Sequence, residues 1–160
     1  MEKLNFTIRE ATQEDVALIL DLIIELATYE KCDKLVTANE ELLTKWLFEE
    51  KCARVWLGEY EGKPAGYALF FYSFSTFLGK AGIYLEDLYV KPEFRGKGLG
   101  KHFFSALTAH ANEKGMGRVE WGCLNWNKPS IDFYMSLGAV PQSEWTKYRL
   151  SGETLENFNL

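Results

Sequence analysis

The stretch Tyr84-Leu85-Glu86-Asp87-Leu88-Tyr89-Val90-Lys91-Pro92-Glu93-Phe94-Arg95-Gly96-Lys97-Gly98-Leu99-Gly100-Lys101 decides the fold. Gly82 to Val90 is rich in aliphatic and aromatic residues and reads as a strand. Pro92 ends it, because proline cannot donate to a sheet ladder. A glycine-rich turn from Gly96 to Gly100 follows, and Phe103, Leu107, His110 and Ala111 then carry a helical stripe toward Gly115. At such a junction glycines permit positive φ and close approach of a ligand, while the free N–H groups and dipole of the helix start favour phosphate oxygens. Arg95, Lys97 and Lys101 add positive charge. A P-loop is excluded twice, since the position of its first glycine holds Arg95 and His102 stands where its hydroxyl belongs. A dinucleotide fingerprint fails as well: Lys101 replaces the third glycine, and the turn follows hairpin-like strands instead of the first strand of a parallel βαβ unit. Arg-x-x-Gly-x-Gly after a strand remains, and an ordinary basic strand-to-helix loop accounts for the hexapeptide equally well.

Outward from this turn the chain alternates in character. Leu4 to Arg9 reads as a first strand, and Thr12-Gln13-Glu14-Asp15 starts a helix whose apolar face is Val16, Ile19, Leu20, Ile23 and Ala27. Thr37-Ala38-Asn39-Glu40 has the form of a capping box before Leu42, Leu43, Trp46 and Leu47, which share a second helical face. Val55-Trp56-Leu57, Ala65 to Phe74 and Gly82 to Val90 give three consecutive strands, expected to be antiparallel. After the long helix, Arg118 to Leu124 reads as a strand. A short helix opens at Pro129-Ser130 and closes at Gly138, and Trp145 to Leu150 alternates as a late strand. The order β-α-α-β-β-β-α-β-α-β describes one mixed α/β domain over residues 1–160.

Composition bounds the function. The 160 residues, 47% hydrophobic with 11 Phe, 8 Tyr and 5 Trp, can bury a core without metal or disulfide staples. A net charge of −5 argues against a nucleic-acid or anionic-membrane partner and leaves a cationic substrate open. Cys32, Cys52 and Cys123 form no Cys-x-x-Cys pair and read as reduced, buried thiols. His102 and His110 lack a metal-binding pattern and read as ordinary helix residues, so no metal is expected. The start of the chain has no signal-peptide pattern, and the expectation is a cytoplasmic protein.

The turn, the two early helices, Tyr84-Leu85-Glu86-Asp87 before it and Asn125 to Tyr134 after it resemble the GNAT superfamily of N-acetyltransferases in order and spacing. Glu25-Leu26-Ala27-Thr28-Tyr29-Glu30, Phe94-Arg95-Gly96 and Trp126-Asn127-x-Pro129-Ser130-Ile131-x-Phe133-Tyr134 resemble its spermidine/spermine N1-acetyltransferase branch, which includes diamine and thialysine acetyltransferases. The resemblance covers nearly the whole chain. It implies the GNAT fold, a central mixed and mostly antiparallel sheet flanked by helices, with acetyl-CoA as cosubstrate and a homodimer.

The same resemblance implies the site. The pantetheine arm of acetyl-CoA lies along Leu88, Tyr89 and Val90, and its pyrophosphate on Arg95, Gly96, Lys97, Gly98, Leu99, Gly100 and Lys101, with Asn127 and Ser130 as further contacts. Tyr134 is the general acid for the coenzyme A thiolate, and Glu86 is the base that takes the amine's proton through water. Strand alternation sends Glu86 and Asp87 to opposite faces, so at most one meets the reaction centre directly. A diamine or polyamine needs carboxylates and aromatic faces for its ammonium groups. Tyr29, Glu30, Phe77, Glu86, Asp87, Trp126, Glu144 and Trp145 occupy the family positions for that task. The resemblance implies a diamine or polyamine acceptor, with thialysine or another lysine-like amine as the alternative; Phe77 stands where the polyamine enzymes carry Trp, and Asp21 where they carry a basic residue, and these departures leave both acceptors open. A non-catalytic acyl-CoA-binding module is the competing class.

Overall fold

The computed structural model describes residues 5–159, so Leu4 of the expected first strand lies outside the described residues. The chain divides after Gly122 into two compact units. The larger one is built on a five-stranded sheet in the order β1-β2-β3-β4-β5. Its strands are β1 (Phe6–Glu10), β2 (Arg54–Tyr60), β3 (Lys63–Ser75), β4 (Lys80–Val90) and β5 (Val119–Trp121). The first four pair antiparallel and β5 joins β4 in parallel. The mixed, mostly antiparallel sheet expected from the sequence is therefore present.

Strand alternation sorts the side chains onto two faces. Val55, Leu57, Tyr67 and Tyr89 meet Ile19, Leu22 and Leu26 of helix α1 (Val16–Tyr29), together with Leu47. Each fully buried aliphatic side chain here contributes roughly 1.5 to 3 kcal/mol of transfer free energy. On the other side Trp56 and Phe70 contact His110 of helix α3 (Leu99–Glu113), while Phe103 and Leu107 of the same helix are wholly buried.

Several local readings change. Helix α2 (Glu40–Leu43) is capped by Asn39, whose Oδ1 accepts from the Leu42 amide, and not by Thr37; an amide side chain in extended backbone satisfies that orphan N–H as well as a hydroxyl does. It widens into a π-helical stretch, Thr44–Glu49, before β2. Strand β5 stops at Trp121, short of Leu124. Cys52 is exposed, and Cys32 and Cys123 are only half-buried, so the thiols are not core groups.

The smaller unit carries helix α4 (Lys128–Ser136) and the short helix α5 (Glu153–Glu156). Asn127 caps α4 by accepting from the Ser130 amide, and Pro129 occupies the first turn, where its missing N–H costs nothing. Residues 145–150 are not a strand but irregular chain: alternation fixes which side chains share a face, whereas a strand also needs a hydrogen-bonding neighbour. Among the described residues no helix is long and apolar enough to cross a membrane.

Candidate functional site

The site begins with a fault in the ladder between β3 and β4. Leu69 pairs with Asp87 and Phe70 with Leu85, so Glu86 has no partner and is the extra residue of a β-bulge. A one-residue slip moves every later side chain to the opposite face. Leu85 thus shares a face with Phe70, while Asp87 and Tyr89 share one with Leu69 and Tyr67, toward α1. Glu86 is left exposed.

Past the bulge β4 is open on one side. Strand β5 pairs with β4 only at Ile83, Tyr84 and Leu85, whereas β3 accompanies it to Val90. Glu86 to Val90 therefore presents a strand edge with no neighbouring strand among the described residues. The β3 side is packed tightly there, for a Cβ on Gly66 would collide with the Tyr89 carbonyl oxygen.

The open edge leads into the glycine turn. Gly96 and Gly98 have φ of 76° and 80°, and Gly98 is the N-cap of α3; apart from adjacent backbone, no atom of the described residues lies within 4 Å of where a Cβ would stand on either. The 15-residue helix thus starts on a residue without a side chain, and its first N–H groups have no acceptor within the helix. Arg95 Nε donates to the Val90 carbonyl at 2.8 Å, and its guanidinium lies over the rings of Tyr29 and Tyr89 at 4.9 and 5.6 Å. Lys97 Nζ lies 4.6 Å from the Tyr60 ring centroid. Arg95 thus ties the end of α1 to the end of β4, and Lys101 is exposed on the first turn of α3.

Acidic groups gather where the edge opens. Tyr67 donates to Asp87 Oδ2 at 2.8 Å. Burial pushes the Asp87 carboxyl up, Tyr67's hydrogen bond pulls it down and Glu86 pushes it up again. Burial, and then Asp87, raises Glu30, the residue that follows α1. The Tyr67 phenol is driven well above its ordinary value by burial first and by Asp87 next. Tyr89 donates to Glu25 Oε2 at 3.2 Å, and Lys91 pairs with the other Glu25 oxygen at 3.2 Å. Of the sequence-predicted residues, Tyr29, Glu30, Asp87, Tyr89, Val90 and Arg95 are thus joined within this unit. Phe77 is not among them: it is almost fully exposed in the turn between β3 and β4.

The smaller unit holds the remaining candidates. Tyr134 is half-buried on α4, Asn127 is buried as its cap, Ser130 is half-buried in the first turn, and Trp126 is exposed just before the cap. Glu144 and Trp145 are exposed in irregular chain.

Residues 19–139 match the acetyltransferase (GNAT) family model. The chain belongs to that family. A thialysine N-epsilon-acetyltransferase of Bos taurus is 39% identical, over 92% of this chain and 94% of its own. An L-ornithine N5-acetyltransferase of Arabidopsis thaliana is 30% identical, over 93% of this chain and 86% of its own. Among solved structures, an integron cassette protein from the mobile metagenome of V. cholerae superposes with a TM-score of 0.81 at 26% identity, covering 97% of this chain and 98% of that one.

The protein is an N-acetyltransferase with the GNAT fold. Sequence reading of this GNAT enzyme passed over Tyr67 and the Glu25–Lys91 pair. Tyr67 lies 20 residues from Asp87, and only the bulge puts the two on one face. Its one sequence signal was a tyrosine at an inward-facing position in a strand that alternates.

Proposed function

We propose that the enzyme transfers the acetyl group of acetyl-CoA to the terminal amine of a small lysine-like or diamine acceptor, by direct attack in a ternary complex. The observation that carries this reading is the open β4 edge from Glu86 to Val90, which runs into the glycine-capped start of α3. Amide groups of a pantetheine arm pair with such an edge as an added strand does. The pyrophosphate sits at the Arg95 to Lys101 turn, where positive-φ glycines leave room for it and lysines add charge. Asn127 and Ser130 complete the acetyl-CoA contacts.

Glu86 takes a proton from the acceptor's ammonium through water. The freed nitrogen lone pair forms the C–N bond with the acetyl carbon, and the C–S bond breaks. Backbone N–H groups of Leu88 to Val90 stabilise the carbonyl oxygen as it gains charge. Tyr134 gives its proton to the departing thiolate; a phenol, with an ordinary pKa of about 10, can do this at neutral pH. Tyr29, Glu30, Phe77, Asp87, Trp126, Glu144 and Trp145 hold the acceptor. The relatives named for thialysine and ornithine both act on amino acids with a side-chain amine, which favours a lysine-like acceptor first and a diamine or polyamine second. Residues 1–160 act as one catalytic domain, in a cytoplasmic homodimer that takes neither nucleic acid nor membrane as a partner and no metal.

An acceptor screen with acetyl-CoA, reading thiol release, tests the reading. Thialysine, ornithine, lysine, putrescine and spermidine should include acceptors with kcat/KM well above that of propylamine. Inactivity on all of them, with no thermal stabilisation by coenzyme A, would overturn it.

A further inference from the structure

Tyr67 is wholly buried on β3, in register with Tyr89 and two residues from Leu69, the partner of Asp87. Its hydroxyl does one thing: it donates to Asp87 Oδ2 at 2.8 Å. The phenol cannot give up its proton there, since burial and the neighbouring carboxylates Asp87 and Glu30 all oppose a charge on it. Tyr67 is thus a permanent donor. The charged groups that act on Asp87 and Glu30 are carboxylates, Glu86 on Asp87 and Asp87 on Glu30. No hydrogen bond or ion pair from the described residues reaches the second oxygen of Asp87 or the Glu30 carboxylate. Two half-buried acids side by side, one gripped by a neutral donor and neither paired with a cation, make a seat short of one positive charge.

We propose that Tyr67 is a positioning residue for the acceptor: it holds Asp87 by one oxygen so that the other, beside Glu30, receives the distal ammonium of a two-charge amine. This rests on the amine-acceptor reading above and adds the residue that sets how tightly the non-reacting end is held. Asp87 must be ionised to hold an ammonium, so acceptor affinity rises as pH climbs through its titration. The Tyr67 hydrogen bond favours the ionised form and keeps that rise at lower pH. The groups that face Asp87 are Tyr67 from β3, Glu30 from the end of α1 and Glu86 on its own strand, with Tyr89 acting on Tyr67 in turn.

The test compares wild type, Y67F, D87N and the double variant at saturating acetyl-CoA, with thialysine and with propylamine, between pH 4.5 and pH 8.5. Y67F should raise the thialysine KM about tenfold, the scale of a hydrogen bond to a charged group. It should also move the acidic limb of 1/KM to higher pH and change the propylamine KM at least fivefold less. In the D87N background Y67F should add nothing. Replacing Tyr67 with 3-fluorotyrosine, a stronger donor of nearly the same size, should move the limb the other way, and this arm holds even if Y67F folds poorly. An unmoved limb in both Tyr67 variants, equal losses on the two acceptors, or a full Y67F effect without Asp87 would each overturn the proposal. A wild type that turns over propylamine and no two-charge amine would overturn the acceptor reading and this proposal together, a result distinct from all of these.

Discussion

At the residue scale, the proposed acid role of Tyr134 separates from its place in the fold. Tyr134 sits on α4, a nine-residue helix held at its start by Asn127 and Pro129, so removing its hydroxyl leaves the helix and the ring in place. Y134F should lower kcat about a hundredfold, the usual worth of a positioned general acid, while the dissociation constant for coenzyme A by calorimetry stays within a factor of two. Unchanged kcat would remove Tyr134 from proton transfer. Its surroundings are legible in the sequence because Pro129-Ser130 and the aromatic pair Phe133-Tyr134 are local. Arg95 shows the opposite case. Its charge and position mark it as a phosphate ligand, yet its Nε is committed to the Val90 carbonyl and its guanidinium lies over Tyr29 and Tyr89. Those partners come from an element more than sixty residues upstream and from the strand before it. No spacing rule relates them.

At the scale of elements, the β3–β4 ladder sets the site. Gly66 has no room for a Cβ because the Tyr89 carbonyl oxygen is already there, and that obstacle is backbone, which cannot swing aside. G66A should therefore push β4 away at Tyr89 and Val90, where its free edge ends. The expected loss is about 2 kcal/mol or more in urea denaturation, with a raised KM for acetyl-CoA, because Leu88 to Val90 shift with the strand. An alanine enzyme as stable as wild type would show that β4 yields without cost. The strands themselves were readable: Ala65 to Phe74 and Gly82 to Val90 lie within β3 and β4. The bulge was not, because one unpaired residue leaves composition and alternation nearly unchanged, yet it reverses the faces of everything after it. That is why Asp87 was readable as a candidate carboxylate and Tyr67 was not readable as its hydrogen-bond partner. The alternation of Trp145 to Leu150 misled for a related reason, since a pattern names a face and not a neighbour.

At the scale of the whole sheet-and-helix unit, the far end of α3 is tied to three strands by one polar network. Arg54 on β2 forms a two-point ion pair with Glu10 on β1, at 2.7 and 2.8 Å, and donates to the Tyr72 hydroxyl on β3 at 2.9 Å. His110 on α3 has its Nε2 2.7 Å from that hydroxyl and 3.2 Å from Arg54 Nη1, with its ring stacked on Tyr72. Two donors converge on Nε2, so the imidazole must accept there and therefore be neutral. Burial first, then Arg54 and Lys114, hold its pKa below the ordinary histidine value. A histidine lowered on folding stabilises the fold fully above its unfolded pKa of about 6.5, and that contribution is lost as pH falls from there through the folded value. The melting temperature of wild type should accordingly drop between pH 7.5 and pH 5. H110Q, which keeps an acceptor and cannot titrate, should lose that part of the slope. R54M should cost about 2 kcal/mol at neutral pH, since it strands Glu10, Tyr72 and His110 at once. Because Gly98 caps the start of α3 and His110 lies in its last turn, the KM for acetyl-CoA in R54M should stay at the wild-type value. A change in that KM equal to the one seen for G66A would mean that α3 transmits strain along its length, and the sheet would then not separate its folding tie from its proposed cosubstrate turn.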